Sequence, residues 1–241
     1  MQTSLYVALS SQLALERRMT TIADNVANAN TTGFRATEVK FDEIFSDAGN
    51  QDVSYVNRGT DFLSTLNGSM RQTGNPLDFA ISGNGWFQIE TPVGQIITRD
   101  GRFDMSLEGE LITLDGNRVL DSGGAPIQLN TNLGAPTVGR DGGVFQDAQR
   151  VGQIGIFTAD FSQGYQRAGS LGVIPVIPPE AVVDQTEIGI TQGYLEDSNV
   201  NPLSEMSQLI MVSRAFENAS ILMRDTETTL KEAIKTLGSG N

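Results

Sequence analysis

The sequence predicts an α+β fold, mainly β in its middle: heptad helices at the two chain ends pair into a discontinuous coiled-coil domain, and an antiparallel β domain is inserted between them. Three observations carry this. Apolar residues recur at alternating spacings of three and four at both ends, the middle changes to short alternating runs broken by Asp-Gly pairs, and charge divides along the same lines.

At the N-terminal end Leu5, Ala8, Gln12, Leu15, Met19, Ile22, Val26 and Ala29 form a helical seam with one polar break at Gln12, and Leu9 and Leu13 widen it. At the C-terminal end Leu209, Val212, Phe216, Ala219, Met223, Thr226, Leu230, Ala233 and Leu237 repeat the pattern. Asn201 is placed to cap that helix and Pro202 to take its first position. A helix from Pro202 to Leu237 is about 50 Å long, which exceeds the needs of a domain of this size.

Between the ends, Leu77, Phe79 and Ile81 alternate, as do Phe103, Met105 and Leu107. Asp100-Gly101, Asp115-Gly116 and Asp141-Gly142 are read as sources of the positive φ that tight hairpins need. Val151 to Phe157 and the Pro-punctuated LGVIPVIPPE, Leu171 to Glu180, read as strands at a sheet edge or a stiff extended exit. The boundaries follow: 1–33 with 200–241 for a helical assembly domain, 34–75 with 188–199 for an extended connecting segment, and 76–187 for the antiparallel β domain.

Net charge is -13, from 16 Lys and Arg against 29 Asp and Glu, and residues 31–202 hold 22 of the acids against 10 of the bases. Such a chain is repelled by nucleic acid and by anionic membrane, whereas its nearly neutral ends suit dense packing. Cys and His are absent, which removes disulfides, thiolate nucleophiles, the commonest zinc ligands and the usual general base near neutral pH. The opening MQTSLYVALSSQLALERRM puts Arg17 and Arg18 after its apolar stretch, the reverse of a secretory signal, and no run is long enough to span a membrane. If the chain leaves the cytoplasm, it must use a route that does not cut a signal peptide.

Directly behind the first seam stands NVANANTTGF, residues 25 to 34. Asn25 and Asn28 lie three apart and so share a helix face, Asn30 and the two threonines compete for backbone groups, Gly33 can end the helix in the left-handed conformation, and Phe34 can supply the apolar contact that follows such an end. Flanking Leu9, Leu13, Leu203, Met206 and Ile210 call for partners that no further long helix of this chain supplies.

These residues also carry a resemblance. DNVANANTTGFR, Asp24 to Arg35, resembles the asparagine-rich signature of the bacterial flagellar axial proteins, the rod and hook family; so, in order, do GNPLDFAISGNGWFQI from Gly74, ITRDGRF with LITLDGNRVL behind it, and QGYLEDSNVNPLSEMSQLI, Gln192 to Ile210. Length, MQTSLYVALSS and SRAFENASILMRD look most like a proximal-rod member, with a distal-rod member the nearest competitor. The resemblance implies export through the flagellar type III apparatus without cleavage. It also implies incorporation, with copies of itself and with proximal and distal rod subunits, into a periplasmic helical tube that transmits torque, and it implies no cofactor or metal. The subunit interface expected from seam and resemblance together comprises Leu5, Leu15, Met19, Ile22, Asn25, Val26, Asn28, Asn30, Gly33, Phe34, Leu209, Val212, Phe216, Met223 and Leu230.

Other function classes fit less well. Asp100 with Asp104 and Glu108 with Glu110 are conceivable acid and base pairs for glycan cleavage, but they sit in Gly-containing, turn-like contexts where acids are solvated. Asp115-Gly116-Asn117 lacks the further oxygen ligands of a Ca²⁺ loop. A secreted β-rich surface binding module on helical stalks is the alternative from another class; the neutral apolar seams argue instead for self-assembly.

Overall fold

The computed structural model describes residues 2–46, 53–57, 59–182 and 187–238. Helix α1 spans Gln2–Ala27 and α2 spans Pro202–Gly238, with strands between them, so the expected α+β architecture is present. Ser204 N donates to the Asn201 side-chain oxygen at 3.2 Å and Glu205 N to the Asn201 carbonyl at 3.0 Å. Asn201 therefore caps α2, and Pro202 at the first position gives up no hydrogen bond. Helix α1 stops short of Asn28 because Asn28 turns the chain. Its carbonyl accepts from Thr31 N at 3.0 Å and its side chain from the Thr31 hydroxyl at 3.2 Å, the local competition that ends helices.

Two compact units form, each discontinuous in sequence. The helical unit comprises Met1–Ala27, Thr37–Phe62 and Asn201–Asn241; the β unit comprises Asn28–Ala36 and Leu63–Val200. Residues 28–36 thus fold with the β unit, to which Gly33 N and Ala36 N are hydrogen-bonded, and residues 37–62 fold with the helices. In the helical unit α1 packs along α2, Thr37–Lys40 pairs with Thr60–Leu63, and Glu43–Ser46 pairs with Val53–Val56.

The β unit is built on a seven-stranded antiparallel sheet in the spatial order Tyr165–Arg167, Val173–Pro175, Gly94–Thr98, Phe87–Thr91, Arg118–Val119, Leu111–Thr113, Phe103–Met105. Phe79, Ile81, Phe87, Ile89, Ile96 and Phe103 lie in its main core, with Phe103 edge-on to Phe87 at 5.1 Å between ring centroids. A second cluster gathers Leu63, Trp86, Ile97 and Val173. Within residues 123–187, where no motif is legible, Thr137–Val138, Gly143–Gln146 and Gln149–Gln153 form a three-stranded antiparallel sheet.

Three local expectations are corrected. Val173–Pro175 lies inside the seven-stranded sheet and not at its edge; its pairing with Gly94–Thr98 consists of Val173 with Ile97, so Pro175 falls beyond the ladder where its missing N–H matters little. Leu107 does not continue the alternation of Phe103 and Met105, because the strand ends at Met105 and the Ser106–Gly109 turn leaves Leu107 exposed. Gly116 and Gly142 have the expected positive φ, 79° and 81°, but Gly101 does not share it.

Gly101 is required for a different reason. Phe79 N donates to the Gly101 carbonyl at 2.9 Å, and a Cβ on residue 101 would fall 1.7 Å from the Phe79 carbonyl oxygen. Backbone cannot yield as a flexible side chain would. Gly101→Ala is therefore expected to destabilise the β unit by about 3 kcal/mol in urea unfolding, whereas Gly134→Ala, with open space around its Cβ, changes stability by less than about 0.5 kcal/mol.

Candidate functional site

The two seams meet within the chain. Ile22 of α1 and Val212 of α2 are buried, while Leu15, Met19, Val26, Leu209, Phe216 and Met223 are half-buried; the side chains of Leu5 and Leu230 lie outside the described residues. Gln12, the polar break, donates to the Ser220 hydroxyl at 3.2 Å, so its amide is met by a polar group from the other helix.

Pairing leaves a second apolar face uncovered. Leu203 is 76% and Ile210 55% exposed, and Leu9, Leu13 and Met206 are exposed with them. At 3.6 residues per turn Leu203 sits half a turn from buried Val212, on the side of α2 away from the seam, and Ile221 returns to that side five turns further on. Ile221 is exposed too, as are Met211 and Leu222 on an adjoining side. The sequence held this signal in the apolar residues off the heptad positions of α2, of which only Leu203, Met206 and Ile210 stand out before the helix is built.

The asparagine-rich segment separates into parts with different tasks. Asn25 is buried in the helical unit and reads the Thr37 backbone from both sides, donating to its carbonyl at 2.9 Å and accepting from its N–H at 3.0 Å. Asn28 lies past the end of α1 and so does not share a helix face with Asn25. Asn30 is exposed. Gly33 has the expected left-handed φ of 70° but does not end the helix; it allows close approach, since a Cβ there would lie 2.3 Å from Asp100 N. Phe34 is buried in the β unit, with the Arg167 guanidinium 4.4 Å from its ring centroid.

Next to Phe34 begins the cluster that sequence reasoning missed. Arg35, Arg99 and Glu196 are almost wholly buried. Glu196 accepts from Arg35 at 2.8 Å and from Gly68 N at 2.8 Å through one oxygen, and from Arg99 at 2.9 Å through the other. Arg99 also donates to the carbonyls of Ile81 and Gly83, and Asn67 accepts from both arginines. The two guanidiniums stand 5.9 and 5.4 Å from the centroid of Trp86. Burial lowers the Arg35 pKa and pushes that of Arg99 down to about 10, with attraction to Glu196 opposing both shifts. Desolvation outweighs what the carboxylate returns. Removing the cluster's single anion would leave two buried cations uncompensated, at a cost of about 3–5 kcal/mol.

Three of the four carboxylates weighed for catalysis are engaged elsewhere. Asp100 holds Arg102 at 2.6 Å, Glu110 holds Arg118 at 2.9 Å, and Asp104 accepts from Met105 N at 2.8 Å. Asp115 to Asn117 form a hairpin turn closed by Thr113 N donating to the Asn117 carbonyl at 2.8 Å.

Comparison with known proteins finds three family profiles along the chain: "Flagella basal body rod protein" over residues 5–35, "Flagellar hook protein FlgE/F/G D1 domain" over 80–146, and "Flagellar basal body rod FlgEFG protein C-terminal" over 191–236. Similar proteins include the flagellar basal-body rod proteins FlgF of Mesorhizobium japonicum and of Rhizobium meliloti, each 55% identical over 99% of both chains. The rod protein FlgG of Bacillus subtilis is 31% identical over 96% of this chain and 97% of its own.

Asn25 and Asn30 make opposite predictions. Asn25→Ala removes two hydrogen bonds to the Thr37 backbone, so the helical unit should lose about 2 kcal/mol, read as faster hydrogen exchange over residues 21–27 and 37–40. Asn30→Ala should leave the same amides unchanged.

Proposed function

The chain belongs to the flagellar basal-body rod proteins, in their FlgF branch, and from that premise we propose that it is a subunit of the proximal rod, built by its terminal helices into a periplasmic tube that transmits torque. One observation carries the reading: helices α1 and α2 bury one seam against each other and still hold Leu9, Leu13, Leu203, Met206 and Ile210 in water. A contact between an apolar patch on one element and a patch on another element of the next copy is heterologous, and where its rotation does not close it repeats into an open helical filament, which is how a tube grows. The seam residues hold the pair together, and the flanking residues meet the neighbours. Nearly neutral ends let copies pack at that level without the mutual repulsion of the acidic middle.

The same premise gives the partners and the route. The chain assembles with copies of itself and with other proximal and distal rod subunits, reaches them through the flagellar type III export apparatus with its N-terminus uncut, and acts as a structural subunit without catalysis. Its subtype rests on identity along nearly the whole chain, 55% to the FlgF proteins against 31% to a FlgG protein.

Ile210→Asp tests the assignment. The side chain is exposed in the single chain, so the variant should fold, be exported and keep the parental urea midpoint, since surface substitutions cost about 0.5 kcal/mol or less. Buried between subunits, an unpaired carboxylate costs several kcal/mol, so rods should not incorporate the variant and cells should be non-motile. Motile cells with Ile210→Asp in purified basal bodies would contradict the reading.

A further inference from the structure

The chain passes between its two units after Ala27, Ala36, Phe62 and Val200, so force applied to the terminal helices enters the β unit covalently at those points. Three of the passages are stitched together inside the β unit. Ser64 N donates to the Ala36 carbonyl at 2.9 Å, Ala36 N to the Asn199 side chain at 2.7 Å, and the Asn199 amide to the Leu66 carbonyl at 2.8 Å. Alongside them Gly33 N donates to the Glu196 carbonyl at 2.7 Å and Asn199 N to the Phe34 carbonyl at 3.2 Å. Residues 33–36 and 196–199 therefore run in the same direction, with the Arg35–Glu196 ion pair between the outer bonds.

That direction has a mechanical consequence. Tension from α1 acts on the N-terminal end of 33–36, and tension from α2 acts on the C-terminal end of 196–199. Two parallel segments pulled from opposite ends are loaded in shear, so their bonds must fail together; an antiparallel pair pulled in the same way would open one bond at a time. Arg99 anchors the arrangement to the β core, because its guanidinium is fixed to Glu196 and to the Ile81 and Gly83 carbonyls.

We propose that the Arg35–Glu196–Arg99 cluster and Asn199 form a mechanical joint, which holds the exit of α1 and the entry of α2 to the β unit when the helices are pulled apart. Rod membership supplies the source of load, and to that extent the joint rests on the functional reading. Its strength is a property of the single chain.

The chain has no Cys, so Ala23→Cys and Ser207→Cys, both at exposed positions, give two clean handles for optical tweezers on the full-length protein. At constant force the helices should separate first, and release of residues 28–36 should follow as a distinct later step. Glu196→Gln should speed that step about a hundredfold or more, and Asn199→Ala by a smaller factor, with Trp86 fluorescence confirming that each variant retains its fold at zero force. Asn199→Ala keeps the test open if Glu196→Gln does not fold. Opening at the parental rate in a folded variant would overturn the joint and leave the rod assignment standing; purified rods that lack the chain would remove the assignment while the tweezers result stood.

Discussion

A carboxylate buried between two guanidiniums ties the segment that follows α1 and the segment that precedes α2 to the β core. Glu196 joins Arg35, eight residues beyond the end of α1, to Arg99 in the β core, and it sits six residues before α2 begins. Each of the four stretches that carry the family resemblance supplies part of the arrangement: Arg35 from the first, Gly83 and Trp86 from the second, Arg99 from the third, Glu196 and Asn199 from the fourth. Planar guanidiniums suit the task, since each can hold the carboxylate, donate to a second acceptor and lie over an aromatic ring, which a lysine ammonium does less well.

From that node the two units follow different physics. The β unit closes its own core of phenylalanines, isoleucines and leucines. The helical unit leaves part of its apolar surface uncovered. Its seam is satisfied by α1 against α2, down to the pairing of Gln12 with Ser220, while the far side of α2 remains uncovered.

Much of this was legible in the sequence, and what was not has definite causes. Three-and-four periodicity found both helices, and Asn201-Pro202 marked the start of α2, because caps and seams are local. Gly33 was correctly given a left-handed φ, but its reason, contact with Arg99 and Asp100, lies 66 residues away and leaves no local trace. Asn25 read as a helix-face amide, although its partner is the Thr37 backbone. Arg35, Arg99 and Glu196 carry no local sign of burial, because long-range pairing alone makes it possible. Pro175 argued for an edge strand, and the short ladder that tolerates it could not be foreseen from composition.

On the proposed assignment, the second apolar face of the helices is covered by other subunits in the rod. Methionine oxidation tests it directly, since Met206 lies on that face and Met70, similarly exposed, lies on a strand of the β unit. With dilute peroxide on the purified chain both should oxidise readily; in isolated basal bodies Met206 should become strongly protected while Met70 serves as the reference for access to the β unit. Equal reactivity of Met206 in the free chain and in the assembled rod would contradict the account.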